Sequence, residues 1–122
     1  MSERSEQSDA IFDKDALLNT IGNNKELMVK LIKIYTEKLP DLLSRIQDAI
    51  AREDRESLKI SAHTLRGMSL NMFAHGVAMV TWALEEMGEK GNLSHAEKTC
   101  ATLEIELRHL KTALKPHTEE KQ

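Results

Sequence analysis

The chain has 122 residues, enough for one domain that buries its own core without disulfides or a structural metal, and not for much more. Hydrophobic residues make up 40%, charged residues 30% and aromatics 3%, with a net charge of −3 spread over interspersed signs; this is a globular balance that excludes a basic nucleic-acid footprint and leaves almost nothing for base stacking. No apolar run approaches the roughly 18–20 residues of a membrane span, and Met1–Asp9 lacks the apolar stretch of a secretory signal, so a cytoplasmic chain without membrane or nucleic-acid partners is expected.

Residues 1–10 and 116–122 are polar and are expected to be flexible tails around a helical domain over 11–115. Two prolines and five glycines among runs of Leu, Ile, Met, Ala, Glu and Lys favour helix almost throughout. A short first helix fits Asp13 to Ile21, with Asp13 as N-cap and Gly22 as its stop. The second starts at Asn23, where Asn23-x-x-Glu26 resembles a capping box, and places Leu27, Leu31, Ile34, Tyr35, Leu42, Leu43, Ile46 and Ile50 at helical spacing. Pro40 lies inside it and predicts a kink or a break.

Asp54 caps a third helix from about Arg55 to Met72, and Ala74-His75-Gly76 is the expected turn into a fourth, which runs to about Glu89. Gly91-Asn92 breaks the chain again, and Ser94-x-x-Glu97 is a capping box for the last helix. There Ala96, Cys100, Leu103, Leu107, Leu110 and Leu114 form one apolar stripe, which makes Cys100 a small core residue. A lone cysteine has no internal disulfide partner, in keeping with a reducing compartment. The predicted fold is all-α: an antiparallel four-helix bundle with a short extra N-terminal helix, monomeric because its core is closed.

The third helix carries two faces. Leu58, Ala62, Leu65, Ser69 and Met72 recur at core spacing, and His63 is rotated about 100° off that stripe. Its helical neighbours are Lys59, Arg66 and Gly67. Flanking cations favour a neutral imidazole, and a mid-helix glycine costs about 1 kcal/mol relative to alanine. Together they suit a nucleophilic ring with clear space beside it, since an imidazole nitrogen attacks phosphorus directly and the cations offset the charge of the product. The same residue types also describe an ordinary solvated helix face with a glycine that lets another helix pack closely.

The segment Ala62-His-Thr-Leu-Arg-Gly-Met-Ser-Leu-Asn-Met-Phe-Ala74 resembles the signature of the histidine-containing phosphotransfer (HPt) domain family, in which Ala-His-Thr-Leu-Lys-Gly-Ser-Ser leads towards Asn and Gly-Ala. Phe12-Asp-Lys-Asp-Ala-Leu-Leu resembles the family's opening, Glu37-Lys-Leu-Pro-Asp-Leu-Leu its second helix, and Leu84-Glu-Glu-Met-Gly-Glu-Lys-Gly-Asn92 the turn before its last helix, so the likeness covers about 11–114. The resemblance implies that His63 is the phosphoacceptor, that Arg66 is the phosphate-facing basic residue, and that Gly67 gives clearance; Lys59, by its charge and spacing alone, is the second cation expected to support the phosphate. Arg66 stands where the family usually has Lys, which keeps the charge and adds a planar fork of donors. Met68 replaces a small residue and Phe73 a glycine, departures that bear on packing and on the docking face.

The chain has no GxxxxGK[ST] phosphate loop and no acidic cluster spaced to hold magnesium beside His63. The resemblance implies that a response-regulator receiver domain supplies the phosphoaspartate and Mg²⁺, that a hybrid sensor histidine kinase stands upstream, and that the chain itself is a phosphocarrier without a catalytic residue or cofactor. Leu70, seven positions after His63, is the first candidate for docking, with Met79 and Trp82 on another face. His75, His95, His109 and His117 share no i, i+4 spacing, so no metal site is expected. A bundle adaptor that binds a partner without phosphoryl chemistry remains as the alternative. Met1 and its polar tail suit a free-standing protein, although the end of a hybrid kinase would read the same way.

Overall fold

Short polar side chains start three of the helices. In this computed structural model, which describes residues 11–119, Asp13 accepts a hydrogen bond from the Ala16 amide at 3.0 Å and opens α1 (Lys14–Thr20). Asn24 accepts from the Leu27 amide at 2.9 Å and opens α2 (Lys25–Ala51); Asp54 accepts from the Ser57 amide at 3.1 Å and opens α3 (Arg55–Asn71). Then come α4 (His75–Lys90), closed by Gly91 at φ +74°, and α5 (Ala96–Glu119). The all-α expectation holds for the described residues.

Packing closes the four long helices into a ring: α2 lies against α3 and α5, and α4 lies against the same two, with α1 added onto α2. Short connections (52–54, 72–74 and 91–95) make sequence neighbours antiparallel. The predicted α3 stripe of Leu58, Ala62, Leu65, Ser69 and Met72 is buried, as is the α5 stripe from Ala96 to Leu114. Cys100 is buried on it, and burial with the nearby Glu104 pushes its thiol up to about 11. Ser69, a polar residue at a core position, is satisfied by a 2.6 Å hydrogen bond with the buried Tyr35 hydroxyl across α2 and α3.

Several boundaries differ from the sequence expectation. The cap of α2 is Asn24, because Asn23 takes φ +59° in the turn. The buried face of its first half follows Met28, Ile32 and Leu39, while Leu27 and Ile34 are exposed. Both sets have helical spacing, and only the direction of the neighbours chooses between them. Pro40 is exposed on an unbroken helix, where water can serve the carbonyl that its missing N–H leaves unpaired.

The turn between α3 and α4 is Met72-Phe73-Ala74, not Ala74-His75-Gly76; Phe73 supplies its left-handed residue at φ +58°, and His75 already belongs to α4. The Ser94 hydroxyl donates to Asn92 Oδ1 at 2.9 Å, a local turn in place of the expected cap, and α5 begins at Ala96. At the other end α5 continues to Glu119, past the 115 boundary, with Pro116 inside it. The His117 ring there meets buried Phe12 edge-on at 5.6 Å, which ties the end of α5 to the start of the domain. The expected tails at 1–10 and 120–122 lie outside the described residues. Among those described, no helix is long and apolar enough to cross a membrane.

Candidate functional site

The α3–α4 pair sits unusually close, and Gly88 is the reason. A Cβ on Gly88 would stand 2.7 Å from the Arg55 carbonyl oxygen and 2.8 Å from the Lys59 amide nitrogen, both backbone atoms of α3. That approach brings the edge of α4 alongside the ridge that carries His63. Gly67, by contrast, meets nothing: a Cβ there would have no heavy atom within 4 Å. The close-packing glycine is therefore Gly88, and Gly67 leaves open space one turn from the histidine.

Because His63 follows buried Ala62 by one step, it emerges on the surface with 64% of its side chain exposed. Glu85, one step after buried Leu84, emerges at the matching edge of α4 and is 18% exposed. Its two oxygens divide between two α3 side chains. His63 Nδ1 lies 2.8 Å from Oε2, and Arg66 Nε donates to Oε1, also at 2.8 Å. An ionised carboxylate only accepts, so Nδ1 carries the proton and a neutral ring keeps its lone pair on Nε2. Partial burial raises the Glu85 pKa, but the hydrogen bonds from His63 and Arg66 and the Arg66 charge outweigh it, and the carboxyl lies below its ordinary value.

The structure places Lys59 and Arg66 on the histidine ridge as expected, but neither stands as a bare cation. Lys59 Nζ is 3.2 Å from Glu89 and 3.8 Å from Glu56, and its pKa is raised by the Glu89 hydrogen bond and then by the charges of Glu56 and Glu89. The ring expected between two cations thus has a carboxylate as its direct partner. An open depression of about 360 Å³ is lined by His63 with Lys59, Ile60, Thr64, Glu85 and Glu89. Its acidic residues Glu85 and Glu89 are engaged by cations, and no group of three or more His, Cys, Asp or Glu among the described residues is arranged to hold a metal ion.

The docking candidates Leu70, Met79 and Trp82 are exposed by 45%, 69% and 53%. Ile60, exposed and part of the histidine depression, was not singled out from the sequence, nor was Glu85. Glu85 pairs with His63 only once the turn is placed at Phe73. His63 precedes Phe73 by ten residues and Glu85 follows it by twelve, so a helical hairpin turning at Phe73 sets them side by side. Met68 packs against the core, and Phe73 occupies a left-handed turn position of the kind that glycine fills without strain.

Comparison with known proteins agrees with the fold. The family model described as Hpt domain matches residues 30–113. The crystal structure of histidine-containing phosphotransfer protein B from Pseudomonas aeruginosa PAO1 superposes with a TM-score of 0.84 at 22% identity, covering 90% of this chain and 96% of that one. No curated protein sequence matches the chain.

Proposed function

The chain belongs to the Hpt domain family, and from that premise we propose that His63 is its phosphoacceptor, taking a phosphoryl group from a receiver-domain phosphoaspartate and passing it to another receiver. The observation that carries this reading is the Glu85 hydrogen bond, which leaves Nε2 of an exposed imidazole as the lone-pair nitrogen. The partner supplies Mg²⁺ and the aspartate, and a hybrid sensor histidine kinase feeds the relay. The domain acts as a cytoplasmic, monomeric carrier and performs no turnover of its own. Arg66 and Lys59 move onto the phosphoryl oxygens once these compete for their present carboxylates. Gly67 gives the receiver's loops room to close on the ring. Ile60, Leu70, Met79 and Trp82 offer the apolar contacts for docking.

Incubation with a panel of phosphorylated receiver domains and Mg²⁺, beside a His63→Gln control, tests the reading. Acid-labile, base-stable label on the wild type alone is expected. If no receiver transfers label and a chemical phosphodonor also leaves His63 unmodified, the relay reading is wrong and a phosphate-independent adaptor takes its place.

A further inference from the structure

Two side-chain rungs cross the α3–α4 seam one helical turn apart. His63 meets Glu85; four residues back along α3, Lys59 meets Glu89, four residues further along α4, with Nζ 3.2 Å from Oε1. The second rung is the looser one, because Glu89 is exposed whereas Glu85, shared with Arg66, is partly buried. Lys59, Glu89 and His63 line one depression. We propose that Glu89 is a positioning residue that acts through Lys59: it competes with the phosphoryl group on His63 for the Lys59 ammonium, weakens the domain's hold on that group, and so biases it towards the receivers. This deepens the acceptor reading of His63 and rests on it.

On loading, the Nε2 lone pair forms the N–P bond while the P–O bond to the donor carboxylate breaks, and that bond's electron pair leaves on the carboxylate oxygen. Discharge reverses these changes at an acceptor carboxylate. The loaded ring thus carries a group of roughly two negative charges that the free ring lacks. Of the two cations on the ridge, Lys59 is the more readily released. Its ammonium is a point charge on a flexible stem, whereas the Arg66 guanidinium is a planar fork already fixed against Glu85. Carboxylate and phosphoryl oxygens are alternative acceptors for the same ammonium, so the loaded state gains only the difference between the two contacts. Glu89 is the principal holder: Glu56 stands at 3.8 Å, beyond hydrogen-bond range, and the raised Lys59 pKa owes most to the Glu89 hydrogen bond. The remaining charges about Lys59 are Arg55, whose guanidinium donates to the Glu89 carbonyl oxygen at 3.0 Å, and the Glu85–Arg66 pair.

The test sets variants against the wild type for one supply of phosphoryl groups. Wild-type protein is loaded with phosphoramidate, whose P–N bond breaks and whose nitrogen departs as ammonia. It is then mixed with an equal amount of tagged, unloaded variant, Mg²⁺ and a trace of a receiver domain that exchanges the group between them. Glu89 is exposed, so Glu89→Gln is expected to fold as the wild type does. At equilibrium Glu89→Gln is expected to hold about twofold to fivefold more of the phosphoryl group than the wild type, the reach of an exposed ion pair, and Lys59→Met less than the wild type. Adding Glu89→Gln to Lys59→Met is expected to change nothing further. Lysine side-chain ¹⁵N spectra give a second reading that needs no receiver. Loading with phosphoramidate is expected to move the Lys59 ammonium resonance, and to move it further in Glu89→Gln. A merely structural role for Glu89 moves neither the division of the phosphoryl group nor that resonance. Equal division between wild type and Glu89→Gln, a gain that persists in full without Lys59, or a Lys59 resonance that loading leaves in place overturns the role of Glu89 alone. A wild type that neither phosphoramidate nor any receiver loads overturns the acceptor reading, and this one with it.

Discussion

Gly88 of α4 lies so close to Lys59 of α3 that any side chain there would enter the α3 backbone, with an added Cβ 2.8 Å from the Lys59 nitrogen and 3.0 Å from its Cα. Backbone atoms cannot rotate aside as a flexible side chain can. Gly88→Ala is therefore expected to force the helices apart and to destabilise the domain by about 1–3 kcal/mol, the usual range for overpacking. Chemical denaturation checks the loss. The same shift should withdraw Glu85 from His63, so receiver-dependent labelling should fall in the fraction that remains folded.

Gly67→Ala should act in the opposite direction on stability. Its Cβ meets no neighbour, and alanine is favoured over glycine within a helix by about 1 kcal/mol. Denaturation should show a gain approaching that value, while transfer from a phosphorylated receiver slows and labelling by phosphoramidate does not. Equal loss with both donors would place the defect in the ring and remove the clearance role.

Tyr35 and Ser69 provide a pH-dependent test. Burial holds the Tyr35 phenol at about 12, against an ordinary 10.0, with the Ser69 hydrogen bond opposing part of the rise. The folded chain thus keeps a proton that the unfolded chain releases, and stability conferred by the neutral phenol is present below pH 10 and lost as pH rises towards 12. The balance between wild type and Tyr35→Phe should move across that window by roughly 2–3 kcal/mol in favour of Tyr35→Phe, at about 1.4 kcal/mol per unit, which reverses the order seen near neutral pH. Near neutral pH, Tyr35→Phe should cost about 1–2 kcal/mol through the unpaired Ser69 hydroxyl, and Ser69→Ala in the same chain should recover part of it.

Glu53 and Phe73 both occupy left-handed turn positions, at φ +54° and +58°. Glu53 is exposed, so Glu53→Gly should relieve its backbone and raise stability by about 0.5–1 kcal/mol after the added freedom of the unfolded chain is counted. Phe73 is partly buried against the core and meets His75 edge-on, so Phe73→Gly should lose more in packing than it gains in backbone relief. Thermal melts that move both variants the same way would contradict this division.

Ile60→Asp and Trp82→Ala should weaken receiver binding by roughly 1–2 kcal/mol each, or about tenfold in Kd, the range of a useful interface contact. Both residues are exposed, so melting temperature and phosphoramidate labelling should stay at wild-type values. Titration of a cognate receiver by calorimetry separates the two. An effect at Ile60 alone would confine docking to the rim of the histidine depression.

Much of this architecture is legible in the chain because helix periodicity is a local property. The spacing of Leu58, Ala62, Leu65 and Ser69 puts one face of α3 in the core and leaves His63 outside it whatever the neighbours are. Asp13 and Asp54 announce their helices because an N-cap bond spans only three residues. The family signature around His63 is likewise contiguous. What tertiary structure decided are the relationships between helices: which of two equally periodic faces of α2 turns inward, which glycine allows the close approach, and which acid meets the histidine. Local spacing has no information on the last of these. Glu85 reads as one more charge on a solvated face until the hairpin at Phe73 and the missing side chain of Gly88 set α4 against α3, and the histidine's partner follows from that contact.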